Sequence, residues 1–244
     1  MDTAGASAIP PTASSATIKA ASATRRGGRS LNADAVASHA EPGSGRIAFA
    51  VADGIGDQLL AARAARAIAA VAAREAAQHG AHAGILAAQR ELLREFPQPE
   101  ADAVVVVAVL PDSGQPDDQI DIAWVGDCRA YRWNGRILHQ ITTDHTVAEY
   151  LTSRGLAPTA RMSHLVTTSV RTVAPDAIGH ALTGRARGRL LLCSDGVHKP
   201  LEMAALKLLL AAGESLAGTA NDLVDKALQA GGRDNATAFV IERR

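Results

Sequence analysis

The chain has 244 residues, and its 25 lysines and arginines balance 25 aspartates and glutamates, so the formal charge at neutral pH is zero. That balance excludes attraction to nucleic acid or an anionic membrane by net charge, and leaves any anion binding to local groups. Hydrophobic residues make up 47% and aromatics only 3%, so a chain long enough for one sizeable core must fill it with aliphatic side chains.

Residues 1–23 are rich in Ala, Ser, Thr and Pro and lack the basic start and apolar run of a secretory signal. They read as a disordered tail ahead of a single domain over 24–244. Thr24 to Asp34 ends in a polar turn, and Arg46-Ile-Ala-Phe-Ala-Val-Ala52 reads as a buried strand that stops at Asp53-Gly54. An Ala-rich helix is predicted over Gln58 to about Gln78 and a second over Gly84 to Phe96, lying side by side. The most apolar long segment, Gln58 to His82, is broken by Arg63, Arg66, Arg74 and Glu75, which argues against a membrane span.

Ala103 to Leu110 and Gln119 to Val125 are strand signals, the second broken by Gly126-Asp127. Arg129 to Trp133 and Arg136 to His139 flank Asn134-Gly135 and predict a hairpin with a tight two-residue turn. Asp144 is the expected cap of a helix reaching about Ser153. Arg154 to Gly188 has no clean period and reads as a surface excursion. Arg189 to Cys193 is a further buried strand ending at Ser194-Asp195-Gly196, helices follow to about Ala230, and Ala236 to Ile241 closes as a last strand. Strands at both ends and in the middle, with helices in two blocks, suggest two sheets packed face to face with helices outside. Cys128 and Cys193 are too few for a disulfide framework and read as buried thiols of a reducing compartment.

The recurrent chemical feature is an apolar strand that runs into an acidic residue. Asp53, Asp127 and Asp195 each follow one, and Asp234-Asn235 precedes another. Any single Asp-Gly is more often a plain turn. Several carboxylates at neighbouring strand ends repel one another unless a hard cation neutralises them, and an all-oxygen donor set favours magnesium or manganese over zinc.

Six segments then carry a family resemblance: Arg29-Ser-Leu-Asn-Ala-Asp34, Val51-Ala-Asp-Gly54, Val125-Gly-Asp-Cys-Arg-Ala-Tyr131, Thr143-Asp-His145, Leu192-Cys-Ser-Asp-Gly196 and Gly232-Arg-Asp-Asn-Ala-Thr237. In this order they resemble the metal-dependent protein phosphatases of the 2C type, from about Arg25 to Glu242. The resemblance implies a four-layer α-β-β-α sandwich with two central, mostly antiparallel sheets, and hydrolysis of phosphoserine and phosphothreonine by water activated between two Mn2+ or Mg2+ ions. By the same matching Asp53 bridges both metals, Asp195 and Asp234 complete one site, the Gly54 carbonyl serves the other, and Asp34 acts through metal-bound water. Asp127 resembles the aspartate that holds a third, weaker metal in bacterial members. Arg29 resembles the arginine that grips the substrate phosphate, a task suited to a guanidinium fork. The 154–188 segment matches the family's flap. The implied partners are phosphoproteins, in bacteria those of Hanks-type serine/threonine kinases, met by a soluble, monomeric, cytoplasmic enzyme without nucleic acid or membrane.

The chain departs from the pattern at Ala33, where Glu or Gln is common, and at Ile55-Gly56-Asp57, which lacks the histidine of eukaryotic relatives. Asp57 reads as an extra acid of the cleft or as a polar opening of the helix at Gln58. A cysteine-dependent phosphatase is excluded because Cys128 and Cys193 lack an arginine six residues on, and no Gly-Lys-Ser or Gly-Lys-Thr phosphate loop exists. The remaining rival is a weak or inactive relative that keeps the fold as a binding module.

Overall fold

The computed structural model describes residues 18–111, 119–184, 188–212 and 215–243. Ten strands form two five-stranded sheets whose paired strands are all antiparallel. The first sheet has the order β1 (Ile18–Arg25), β10 (Ala236–Arg243), β9 (Gly188–Cys193), β6 (Arg129–Trp133), β7 (Leu138–Gln140). The second runs β2 (Asp34–Ala40), β3 (Ile47–Gly54), β4 (Ala103–Leu110), β5 (Ile120–Val125), β8 (Gly179–Thr183).

The period of two along β4 explains the layering. Val104, Val106, Ala108 and Leu110 join Phe49, Val51, Leu190, Leu192, Phe239 and Ile241 in a core between the sheets. Ala103, Val105, Val107 and Val109 face the other way, onto α1 (Leu59–His79) and α2 (Ala81–Glu95). A third core lies between the first sheet and α5 (Met203–Ala212) and α6 (Leu216–Gln229). Both faces of both sheets are therefore buried, which is why their central strands read as unbroken apolar runs. The expected four-layer α-β-β-α sandwich is the observed architecture, and the aliphatic core holds: alanine and valine dominate the layer under α1.

Several boundaries are corrected. Of the tail expected over 1–23, residues 1–17 lie outside the described residues, and Ile18 to Ala23 belong to β1, paired along its length with β10. Only Ala23 in β1 is buried, so the strand is held by backbone hydrogen bonds rather than by an apolar face. β2 was hidden in the same way. The 154–188 excursion holds two short 3₁₀ turns, Ala160–His164 and Pro175–Ala177, but its last part is β8, laid on β5 as an edge strand.

In the hairpin, the last paired residues are Trp133 and Leu138, so the connection takes in 134–137 rather than a two-residue Asn-Gly turn. Asn134 Oδ1 accepts from the backbone N–H groups of Arg136 and Ile137. The helix expected from Asp144 is α3 (Val147–Thr152), capped by the Thr146 hydroxyl, which accepts from Glu149 N at 3.2 Å. Asp144 is drawn away into a two-pronged pair with Arg129, both contacts 2.7 Å.

Candidate metal and phosphate site

The carboxylates are brought together by strand ends. Asp53 is the penultimate residue of β3 and stands opposite Asp34, the first residue of β2. Asp127 lies in the turn from β5 to β6, Asp195 opens the short α4 (Asp195–His198) directly after β9, and Asp234 precedes β10. Arg29, Asp53, Gly54, Asp127, Asp195 and Asp234 line one cleft of about 160 Å³, with Ile55, His164 and Val166 on its rim. Asp34 is buried beneath it and donates its influence through charge.

Two close approaches fix this geometry. A side chain at Gly54 would stand 2.7 Å from the Ala61 carbonyl of α1 and 3.0 Å from that of Ala33. A side chain at Gly196 would strike the Asn235 backbone carbonyl. Glycine at both positions lets α1, α4 and the start of β10 close on the strand ends.

The site is electrostatically unbalanced. The Asp53 carboxyl is pushed well above its ordinary value, first by burial and then by Asp34, Asp195, Asp127 and Asp234, all in the same direction. Its side chain is nevertheless only half-buried, since it opens on the cleft. Its desolvation is therefore partial. Asp34 rises to about 7, chiefly through burial, although hydroxyl hydrogen bonds from Thr237 and Ser194 oppose the shift. Ser194 Oγ donates to Asp34 Oδ2 at 2.7 Å. Asp127 is raised by burial and by Asp195.

Two cations answer these five acids. Arg29 Nη2 lies 2.6 Å from Asp234 Oδ2. Lys199 Nζ lies 2.8 Å from Asp127 Oδ2 and 2.7 Å from Asp195 Oδ2. The carboxylates are thus turned toward these side chains, and among the described residues no three His, Cys, Asp or Glu already stand as a finished ligand shell. The residues nonetheless fit hard divalent cations. Asp34 Oδ1 and Asp195 Oδ1 are buried without any hydrogen-bond partner. Buried, unpaired carboxylate oxygens are costly, and an oxygen-seeking cation removes the cost.

Several residues shape the site in ways their sequence did not disclose. Asn235 is buried; its Oδ1 accepts from Ala33 N at 2.8 Å, and its Nδ2 donates to the carbonyls of Arg26 and Leu31 at 2.7 and 2.9 Å. It stitches the Arg29 loop to β10. Asp57 neither caps α1 nor enters the cleft lining. Its carboxylate accepts from Ser30 N and Leu31 N, and these bonds hold its pKa low. It thereby fixes the backbone beside Arg29. The Thr143-Asp144-His145 segment buttresses the Asp127 turn: His145 N donates to the Gly126 carbonyl at 2.9 Å, and Gly126 N donates to His145 Nδ1 at 3.3 Å. Lys199 is the largest omission.

Asn235→Ala removes three hydrogen bonds at a buried position, so we expect a loss of about 3 kcal/mol, or roughly 6–12 °C in the melting midpoint for a domain of this size. A thermal melt of the variant checks this, and an unchanged midpoint would show that the Arg29 loop is held by other means.

No protein-family profile matches the chain. It is 28% identical over 149 residues to the serine/threonine phosphatase stp of Listeria monocytogenes, a match over 57% of this chain and 56% of that protein. The chain thus spans about half the length of the curated relatives it matches. In structure it is similar to serine/threonine phosphatase Stp1 from Staphylococcus aureus, with a TM-score of 0.78 at 22% identity over 93% of this chain and 95% of that one. It is also similar to the catalytic domain of the serine/threonine protein phosphatase PstP solved with two manganese ions, with a TM-score of 0.70 at 24% identity over 94% and 99%. At these identities the structural likeness is one of fold. Among the described residues no helix is long and apolar enough to cross a membrane.

Proposed function

We propose that this chain, which belongs to the PPM-type family of protein phosphatases of the 2C kind, hydrolyses phosphoserine and phosphothreonine in proteins with the help of two divalent cations. The observation that carries this reading is the convergence of four aspartates, from the ends of β3, β5, β9 and β10, on one cleft with a guanidinium in its lining and a fifth acid, Asp34, buried beside Asp53. Manganese or magnesium suits the all-oxygen donor set.

In this reading Asp53 would hold both cations, Asp195 and Asp234 would complete one position, the Gly54 carbonyl would serve the other, and Asp34 would support it through water. Two divalent cations bound there lower the pKa of water and neutralise phosphoryl charge. Arg29 exchanges its contact with Asp234 for the phosphoryl oxygens, which its planar fork can grip at two points. Asp57 keeps the Ser30 and Leu31 backbone in place while it does so, and the rim at His164 and Val166 limits bulk water. Water oxygen bonds to phosphorus as the bond from phosphorus to the serine or threonine oxygen breaks. No phosphocysteine is involved: Cys128 and Cys193 are buried, and burial raises both thiols far above the range in which a thiolate forms.

The substrates in this proposal are phosphoproteins, and a Hanks-type kinase is the opposing activity. The chain acts as a monomer in the cytoplasm, a compartment that suits its two free thiols. Hydrolysis of p-nitrophenyl phosphate and of a phosphothreonine peptide tests the activity. We expect turnover with manganese, less with magnesium and none with chelator. A folded protein that is silent at every manganese concentration would overturn the enzymatic reading and leave a binding module.

A further inference from the structure

Lys199 sits where its ammonium touches two carboxylates of the cleft at once, Asp127 Oδ2 at 2.8 Å and Asp195 Oδ2 at 2.7 Å. It is not a wandering surface lysine. Its side chain is only 16% exposed, against 5% for Asp127 and 13% for Asp195. The base of this contact is rigid. Lys199 follows α4 directly, its backbone N–H donates to the Asp195 carbonyl at 2.9 Å, and the neighbouring His198 Nε2 lies 2.9 Å from the Asp127 carbonyl oxygen. The imidazole therefore carries its proton on Nε2. One short helix thus supplies Asp195, clamps the Asp127 backbone and lays a positive charge between the two acids.

We propose that Lys199 is a built-in cation that takes the place a third divalent ion would have between Asp127 and Asp195, so that this chain carries two metal ions and a tethered ammonium. The inference rests on the two-metal reading above and departs from one expectation drawn from the sequence, that Asp127 serves a third metal. The chemistry is exclusion by like charge. An ammonium within hydrogen-bond distance of both carboxylates neutralises them and repels a dication from the same point. Asp195 remains able to serve a metal on its other side, because only Oδ2 is engaged and Oδ1 is buried and free of hydrogen bonds. Asp127 is likewise engaged by Lys199 through Oδ2, and the His198 hydrogen bond to its backbone carbonyl holds it in that position.

The test counts metal rather than product. Equilibrium dialysis of the full chain against manganese, with elemental analysis, is run on the wild type, Lys199→Met and Lys199→Arg. We expect saturation at two ions for the wild type and for Lys199→Arg, and at three for Lys199→Met. Three ions in the wild type, or no gain in Lys199→Met, would overturn the proposal. Because Lys199→Met leaves two acids unpaired in metal-free buffer, circular dichroism accompanies the measurement. Should that variant not fold, Lys199→Gln is dialysed in its place under the same criterion. Failure of the phosphatase reading is separable, since it is judged by turnover of the wild type in manganese, whereas this proposal is judged by the difference in ion count.

Discussion

On the proposed two-metal reading, Asp53→Asn is expected to abolish manganese-dependent hydrolysis, by more than about 10³-fold, beyond the 10²–10³ typical of removing one charge-stabilising donor, because both cations would lose a ligand. The same change stabilises the metal-free fold. Asp53 is held against four other carboxylates that all disfavour its charge, so neutralising it relieves repulsion. With the side chain half-open to the cleft, the gain is about 1–2 kcal/mol, or roughly 2–8 °C in the midpoint of a chelator-treated melt. In the wild type, manganese raises the midpoint by binding only the folded state; in Asp53→Asn that response is lost. Loss of activity together with a higher metal-free midpoint is a signature that misfolding cannot produce. A variant that is inactive and also less stable in chelator would place Asp53 in the scaffold instead.

If Arg29 grips the phosphoryl group as proposed, Arg29→Ala is expected to lower kcat/KM by about 10²–10³-fold while leaving the number of bound manganese ions unchanged, because a guanidinium is no metal ligand. Arg29→Lys recovers only part of the loss, since an ammonium cannot form the two parallel hydrogen bonds of a planar fork. The ion pair with Asp234 sharpens the prediction. Arg29 is over a third exposed in its side chain, so that pair is a weak, screened contact and yields to a phosphoryl group readily. Steady-state kinetics with a phosphothreonine peptide, beside a manganese titration, checks both halves. An unchanged kcat/KM in Arg29→Ala would remove it from the substrate site, and a lost metal ion would make it a support for Asp234.

How far the sequence disclosed this molecule depended on where each strand lies in its sheet. β3, β4, β5 and β9 are central and covered on both faces, so their apolar runs were plain. β1, β2 and β8 are edges; each has a neighbour on one side only and a partly exposed pattern, so its place is decided by a partner far along the chain rather than by its own composition. β7, also an edge, was legible because Asn134-Gly135 announced a turn even though its register differed. The acids were visible for the same reason as the central strands, since each marks the end of an apolar run. What Lys199, Asn235 and Ser194 do had no local signature. Each acts through contacts such as those with Asp127, Ala33 and Asp34, 72, 202 and 160 positions away, and no local spacing encodes such a contact.

The stitching of the Arg29 loop to the start of β10 also sets a timetable. Arg29 and Asp234 are 205 residues apart, and the Asn235 hooks to Arg26 and Leu31 span 209 and 204. A chain emerging from the ribosome at about 5–20 residues per second has Asp53 outside for many seconds before Asp234 appears. During that interval the acidic ring is open on one side, and the loop bearing Arg29 has nothing to hold it. The candidate site of a nascent chain therefore stays incomplete until residue 235 is free to fold against the Arg29 loop.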